Sequence, residues 1–416
     1  MAEQDLTVKR KEYGPLLHLV NLGAAALSGL GLAGKLQEDA ILRAAERRSG
    51  LDDWGPYDFY PAFREILRHA RDAPFTALGR VNAQQSLIKA ATNRLEMAAY
   101  FKAHPAVAQE KLRRPIFILG FPRTGTTLLQ NLMDLHPQRR ALRLWELVSP
   151  VPVDDDPEVD ARKRLRSAQQ LLSLAYLLAP EMKYVHQIGA TTAEECWPLF
   201  FNNFSVMNYD LQANLHGFGD WLLASDMVPP YADYRDQLKI LAQRDVSSDL
   251  VLKCPEHLWF LDSLLEVFPD ACIVWTHRDP LASIASYCSL ISLNQRMLYG
   301  RIAPHEIGAN ITDRFLVGVK RAMAAREAHP NKDQFFDVDF VKLVEDPRSV
   351  VQQIHSHFGL DYADSMDGDI DAWLNNGRAD KKGRHRYSAE VYGLDAERID
   401  RIYADYVERF QIPCKR

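Results

Sequence analysis

Through the first quarter of the chain, apolar residues recur at helical spacing, and then the period changes abruptly. From about Leu36 to Lys111 the sequence is rich in Ala, Leu, Arg and Glu. Ile41, Ala44 and Ala45, and then Leu87, Ala91 and Leu95, fall on single helical faces, which predicts an all-helical leader. Past Arg113 the run Ile116-Phe117-Ile118-Leu119 is apolar without interruption, the pattern of a strand buried on both faces of a parallel sheet. Small and polar residues from Gly120 to Thr127 then predict a tight turn, after which Leu128, Leu129, Leu132 and Met133 resume the helical period. Leu250-Val251-Leu252 and Cys272-Ile273-Val274-Trp275 repeat the sequence of strand, polar turn and helix. Such repetition predicts an α/β fold, a doubly wound parallel sheet flanked by helices. The expected organisation is a helical N-terminal extension over residues 1–112 and an α/β domain over 113–416, interrupted at about 154–234 by a mainly helical, aromatic-rich insertion.

Composition narrows the function classes. The 416 residues are 47% hydrophobic and 25% charged, an ordinary globular balance. A net charge of −5 argues against a protein that coats nucleic acid, so a polyanionic ligand must be met by locally gathered cations. Cys196, Cys254, Cys272, Cys288 and Cys414 are scattered and form no C-x-x-C pair, which fits a reducing compartment and no zinc site. Cytoplasm is the expected location. Residues 15–34 form the one strongly apolar run, but His18, Asn21 and four glycines interrupt it. It reads as a packing helix or one that docks on a membrane surface rather than as a span.

The candidate chemistry begins at Gly120-Phe121-Pro122-Arg123-Thr124-Gly125-Thr126-Thr127. A strand-to-helix turn with glycines, hydroxyls and one cation is a phosphate cradle, because the helix start presents unpaired N–H groups and the positive end of its dipole. Thr126 stands where the ATP-binding loop G-x-x-x-x-G-K-[ST] has its lysine, which weakens a nucleotide-kinase reading. The segment resembles the 5′-phosphosulfate loop of sulfotransferases that use 3′-phosphoadenosine 5′-phosphosulfate (PAPS), in a bacterial branch that writes it with arginine. The resemblance implies a P-loop-type fold in which Arg123, Thr124, Gly125, Thr126 and Thr127 grip the 5′-phosphate and the transferred sulfuryl group. It also implies that 3′-phosphoadenosine 5′-phosphate is released and that no metal is required.

Further along, Arg278 follows the strand ending at Trp275, and Ser286 lies on the next helix. The pair resembles the family's 3′-phosphate site, where a forked guanidinium and a hydroxyl meet a dianion. Lys381-Lys382-Gly383 resembles, more loosely, the basic segment that covers the same phosphate. Lys253, at the end of the second strand, is placed to neutralise charge on the leaving oxygen. Two groups compete as the base that takes the acceptor's proton. One is His257, in Lys253-Cys254-Pro255-Glu256-His257. The other is a carboxylate of the Glu194-Glu195 pair, which the sequence reads as helical with one glutamate, preferably Glu195, turned inward beside Trp197. Trp197, Phe200, Phe201, Phe204 and Tyr209 are read either as an apolar acceptor pocket or as core. The expected activity is sulfuryl transfer to a hydroxyl of a small molecule, lipid or glycan. A kinase of the same fold and a non-catalytic nucleotide-binding or lipid-surface protein are the alternatives.

Overall fold

The computed structural model describes residues 12–31, 33–178, 180, 188–243, 249–379 and 388–414. Five parallel strands form its sheet: β1 (Ile116–Gly120), β2 (Arg139–Ala141), β3 (Asp249–Lys253), β4 (Cys272–His277) and β5 (Phe335–Asp339), in the spatial order β2-β3-β1-β4-β5. Alternate residues of the central strands feed two different cores, because successive side chains of a strand point to opposite faces. Phe117, Leu119, Leu252, Ile273 and Trp275 join one cluster, while Ile116, Ile118, Val251 and Val274 join the other. Both faces are covered, so the strands have no polar alternation to show. The short β2 (sequence Arg-Arg-Ala) and the edge strand β5 (Phe-Phe-Asp-Val-Asp) escape a search for apolar runs because their positions are partly charged.

The leader folds into α1 (Pro15–Gly29), α2 (Glu38–Ser49), α3 (Tyr60–Asp72) and α4 (Ala77–Ala103). Ile41, Phe63, Leu87 and Leu95 from this region are buried in the same cluster as Phe117 and Trp275, so leader and sheet share a single core. Beyond β1 come α5 (Thr126–Met133) and α6 (Pro157–Leu178), then α7 (Trp197–Asn202) and α8 (Val228–Ala242). After β4, α9 (Pro280–Tyr299) starts with proline at its first turn and the Asp279 carboxylate accepting the Leu281 N–H. Phe200 and Phe204 are fully buried and Tyr209 nearly so, which makes them core; Trp197 and Phe201 pack only at its edge.

An ion pair ties the leader to the α/β unit. Arg94 on α4 meets Asp233 on α8 at 2.6 Å with both side chains at least 93% buried (7% and 6% exposed), and its guanidinium also lies over the Tyr57 ring. Removing one partner leaves the other charge desolvated and unpaired. Arg94→Met should therefore destabilise the protein by about 3–5 kcal/mol, and Arg94→Met with Asp233→Leu should recover most of the loss. Urea unfolding of the three variants checks this; a single variant within about 1 kcal/mol of wild type would show that the pair does not anchor the leader.

Candidate active site

The carboxyl ends of β3, β1 and β4 lie side by side, and each delivers one functional group to the same edge. From β1 comes the Gly120–Thr127 turn, whose backbone takes conformations that few residues accept. Gly120 has φ 145°, and a Cβ there would collide with the Thr276 hydroxyl and carbonyl. Gly125, the N-cap of α5, has φ 88°. Arg123, which has a side chain, is nevertheless held at φ 71°. Two contacts brace the turn: the Thr124 hydroxyl donates to the Phe121 carbonyl at 2.6 Å and sits 2.5 Å from the Thr276 hydroxyl. The result is a compact arch over the start of α5, with Arg123 and Thr127 exposed.

From β4 comes Arg278. Its Nη1 donates to the Arg123 carbonyl at 2.7 Å, and its guanidinium lies 4.3 Å from the centre of the Phe340 ring. Arg123 in turn donates through Nε to Ser286 Oγ on α9 at 3.2 Å. The two anion-binding motifs read from the sequence are thus a single connected structure. Sequence reasoning missed Thr276 and Phe340. Thr276 continues an apolar strand without distinction, and Phe340 follows β5, which itself was not visible. Lys381, Lys382 and Gly383 lie outside the described residues.

From β3 comes Lys253, 1% exposed at its side chain, with Nζ 2.9 Å from Glu195 Oε1 and 3.4 Å from the Thr127 hydroxyl of the turn. Burial alone would push its pKa down; the carboxylates of Glu195 and Glu194 outweigh that and hold it above the ordinary lysine range. Lys253 is a fixed cation.

The segment carrying Glu195 is not the expected helix. Residues 193–195 run extended: Ala193 bridges to Arg143, the Glu194 N–H donates to the Leu142 carbonyl, and the Cys196 N–H donates to the Lys253 carbonyl. In this strand-like stretch Glu194 is the buried carboxylate, accepting the Glu195 N–H, while Glu195 turns to Lys253 with 22% of its side chain exposed. Glu194 is thus the more deeply buried of the two, while Glu195, the preferred candidate, faces the buried Lys253, because the backbone is pinned to the end of β3. His257, the other candidate base, stands in a different setting. It is completely buried among Phe117, Phe200, Tyr231 and Tyr234, with Nδ1 2.9 Å from the Tyr231 hydroxyl, and burial pushes its pKa down to about 3. Its Nε2 has no partner among the described residues.

Glu256, between them in sequence, went unnoticed. It is buried and accepts the Met207 N–H, and burial, together with the charges of Glu195 and Asp210, pushes its pKa up to about 8. A carboxyl whose folded pKa exceeds its unfolded value binds more protons when folded, so its stabilising contribution is complete below about 4.5 and is lost as pH rises to about 8. The depressed His257 acts with the opposite sign, adding stability as pH rises from about 3 to 6.5. Glu256→Gln should flatten the decline in unfolding free energy between about pH 5 and pH 8 while leaving the acid limb in place. Urea midpoints across that range check it, and a variant whose decline parallels wild type would remove Glu256 as its source.

The profile of the Sulfotransferase family matches residues 115–364. The omega-hydroxy-beta-dihydromenaquinone-9 sulfotransferase Stf3 of Mycobacterium bovis is 22% identical over 325 residues, 71% of this chain and 74% of that protein. Among solved structures, sulfotransferase STF1 of Mycobacterium tuberculosis superposes with a TM-score of 0.77 at 30% identity, covering 89% of this chain and 98% of that one. Sulfotransferase STF9 of Mycobacterium avium gives 0.81 at 26% identity, covering 91% and 98%. A profile match over more than half of the chain and a nearly end-to-end structural match at 30% identity lead to one conclusion: the protein belongs to the sulfotransferase family, enzymes that transfer sulfuryl groups.

Proposed function

We propose that the protein transfers the sulfuryl group of PAPS to a hydroxyl of a small molecule, lipid or glycan. The observation that carries this reading is the chain of contacts from the Thr127 hydroxyl through Lys253 to the Glu195 carboxylate, which links an anion-binding turn, a buried cation and a base. The 5′-phosphosulfate lies on the turn and the first N–H groups of α5, with the Arg123 guanidinium swinging from Ser286 to meet it. Arg278 and Ser286, with the basic segment Lys381-Lys382-Gly383 above them, take the 3′-phosphate. The acceptor oxygen attacks sulfur in line, the sulfur–oxygen bond to the 5′-phosphate breaks, and the acceptor's proton passes to Glu195. Charge appearing on the leaving phosphate oxygen is neutralised by Lys253 and Arg123, so no step calls for a metal ion. His257, neutral and enclosed, supports the pocket from behind rather than taking the proton.

A lipid hydroxyl fits the acceptor role best, since Stf3 is named for an omega-hydroxy dihydromenaquinone and α1 leaves Leu16, Leu19, Leu22 and Leu27 exposed. No helix among the described residues is long and apolar enough to cross a membrane.

Two experiments test the reading. With PAPS and a panel of alcohols, phenols and sugars, Glu195→Gln should lose on the order of 10²–10⁴ in turnover while its affinity for 3′,5′-adenosine bisphosphate stays within a few-fold of wild type. Retention of near-wild-type turnover on a good acceptor would exclude Glu195 as the base. In calorimetry, Arg278→Ala should bind the bisphosphate more weakly by roughly 1.5–3 kcal/mol and lose its preference over AMP. Undiminished selectivity would move the 3′-phosphate elsewhere.

A further inference from the structure

Among the described residues the large aliphatic side chains that remain exposed gather on two helices, α1 with Leu30 just past its end and α6, apart from Val153, Val317 and Val344. Helix α6 changes character along its length. Its inner row, Leu165, Ala168 and Leu172, packs on Trp145, Val148 and Ala190, as an amphipathic surface helix should. Its outer face begins with Arg162, Lys163 and Arg166 but ends with Leu171, Leu174 and Leu177, which are 55%, 54% and 60% exposed. In these last turns the leucines form an exposed apolar stripe, interrupted by Ser173, of the kind that elsewhere is covered by a core or by lipid.

We infer that the leucine-faced end of α6 docks the protein on an anionic phospholipid bilayer. Charge complementarity selects that occupant over a second copy of the chain. Beyond its first turn, where Glu158 and Asp160 lie, the helix carries Arg162, Lys163, Arg164 and Arg166 and no acidic residue; Arg164 is buried against Asp160, which leaves Arg162, Lys163 and Arg166 on the exposed face. Lys163 and Leu174 share one face of the helix, as do Arg166 and Leu177, each pair about three turns and about 16 Å apart. A helix entering the surface obliquely places its leucines at the acyl boundary and its cations at the phosphate level. Lys163 already has one anionic partner, Asp154 at 2.6 Å, so Arg162 and Arg166 are the principal lipid contacts.

The placement bears on the site as well. The Tyr176 hydroxyl donates to the Ile188 carbonyl at 2.5 Å, and Ala168 packs on Ala190, so α6 holds the segment that runs on to Glu195. A docked α6 sets the base next to the lipid surface from which a long-chain alcohol would come. This last step rests on the sulfuryl-transfer reading above, whereas the docking itself does not.

Sedimentation of the full chain with vesicles, without nucleotide or acceptor, keeps the two apart. Wild type should sediment with vesicles of phosphatidylcholine and phosphatidylglycerol, and only weakly with phosphatidylcholine alone. Leu171→Ser with Leu174→Ser and Leu177→Ser should weaken binding about tenfold or more, and Arg162→Glu with Arg166→Glu should do the same at low salt only. An unchanged thermal unfolding midpoint shows that the variants fold, and Leu174→Asp alone serves where the triple serine variant does not. Three results would overturn the inference. The first is wild type remaining in the supernatant with anionic vesicles. The second is α6 variants that bind like wild type while Leu19→Ser with Leu22→Ser abolishes binding, which would assign docking to α1. The third is a leucine-dependent dimer, seen by ultracentrifugation, that ignores vesicles.

Discussion

Everything at the carboxyl edge of the sheet depends on one ammonium group kept charged where water scarcely reaches it. An unpaired lysine at the Lys253 position would deprotonate, because desolvating a cation costs several kcal/mol. Glu195 and Glu194 prevent that, and the geometry that brings them there is entirely backbone: the Cys196 N–H on the Lys253 carbonyl and the Ala193–Arg143 bridge lay an extended segment beside β3. The same ion pair orients Glu195, so the groups assigned to leaving-group neutralisation and to proton removal are set by a single contact. The carboxylate that secures the lysine is thus also the one proposed to take the acceptor's proton.

The turn after β1 is the second constraint, and it is one of strain. Arg123 in a left-handed conformation costs roughly 1–3 kcal/mol, offset by the Thr124 hydrogen bonds and by Arg278 on the Arg123 carbonyl. Arg278 both braces the turn and is the residue proposed to meet the 3′-phosphate, so the two ends of the proposed nucleotide site share one guanidinium. Phe340, from the exit of β5, holds the Arg278 guanidinium by its ring face, which brings the edge strand into the site.

The helical leader is part of this arrangement rather than an appendage. Its buried residues complete the cluster that covers one face of the central strands, and Arg94 reaches α8, whose Tyr231 and Tyr234 enclose His257. The dry pocket that keeps that imidazole neutral is therefore built from the leader's side of the molecule. Its enclosure accounts for the stability role assigned to Glu256 and His257.

The sequence alone determined the features that are local and periodic. The apolar runs of β1, β3 and β4, the glycine and hydroxyl pattern of the turn, the helices after each strand and the basic residues at strand ends all follow from side-chain spacing and backbone stereochemistry within a few residues. Tertiary structure decided whatever needed a partner far away in the chain. Strands β2 and β5 are held by their neighbours rather than by apolar content, and so they were invisible. Glu195 rather than Glu194 meets Lys253, 58 positions away, because long-range backbone bonds straighten a segment that local propensity reads as helix. His257 is held neutral by burial, a property of the surrounding aromatic side chains and not of the residue itself. Arg123, Ser286 and Arg278 become one unit only when β1 and β4 lie side by side, since hydrogen bonds of about 3 Å are decided by packing and not by position along the chain.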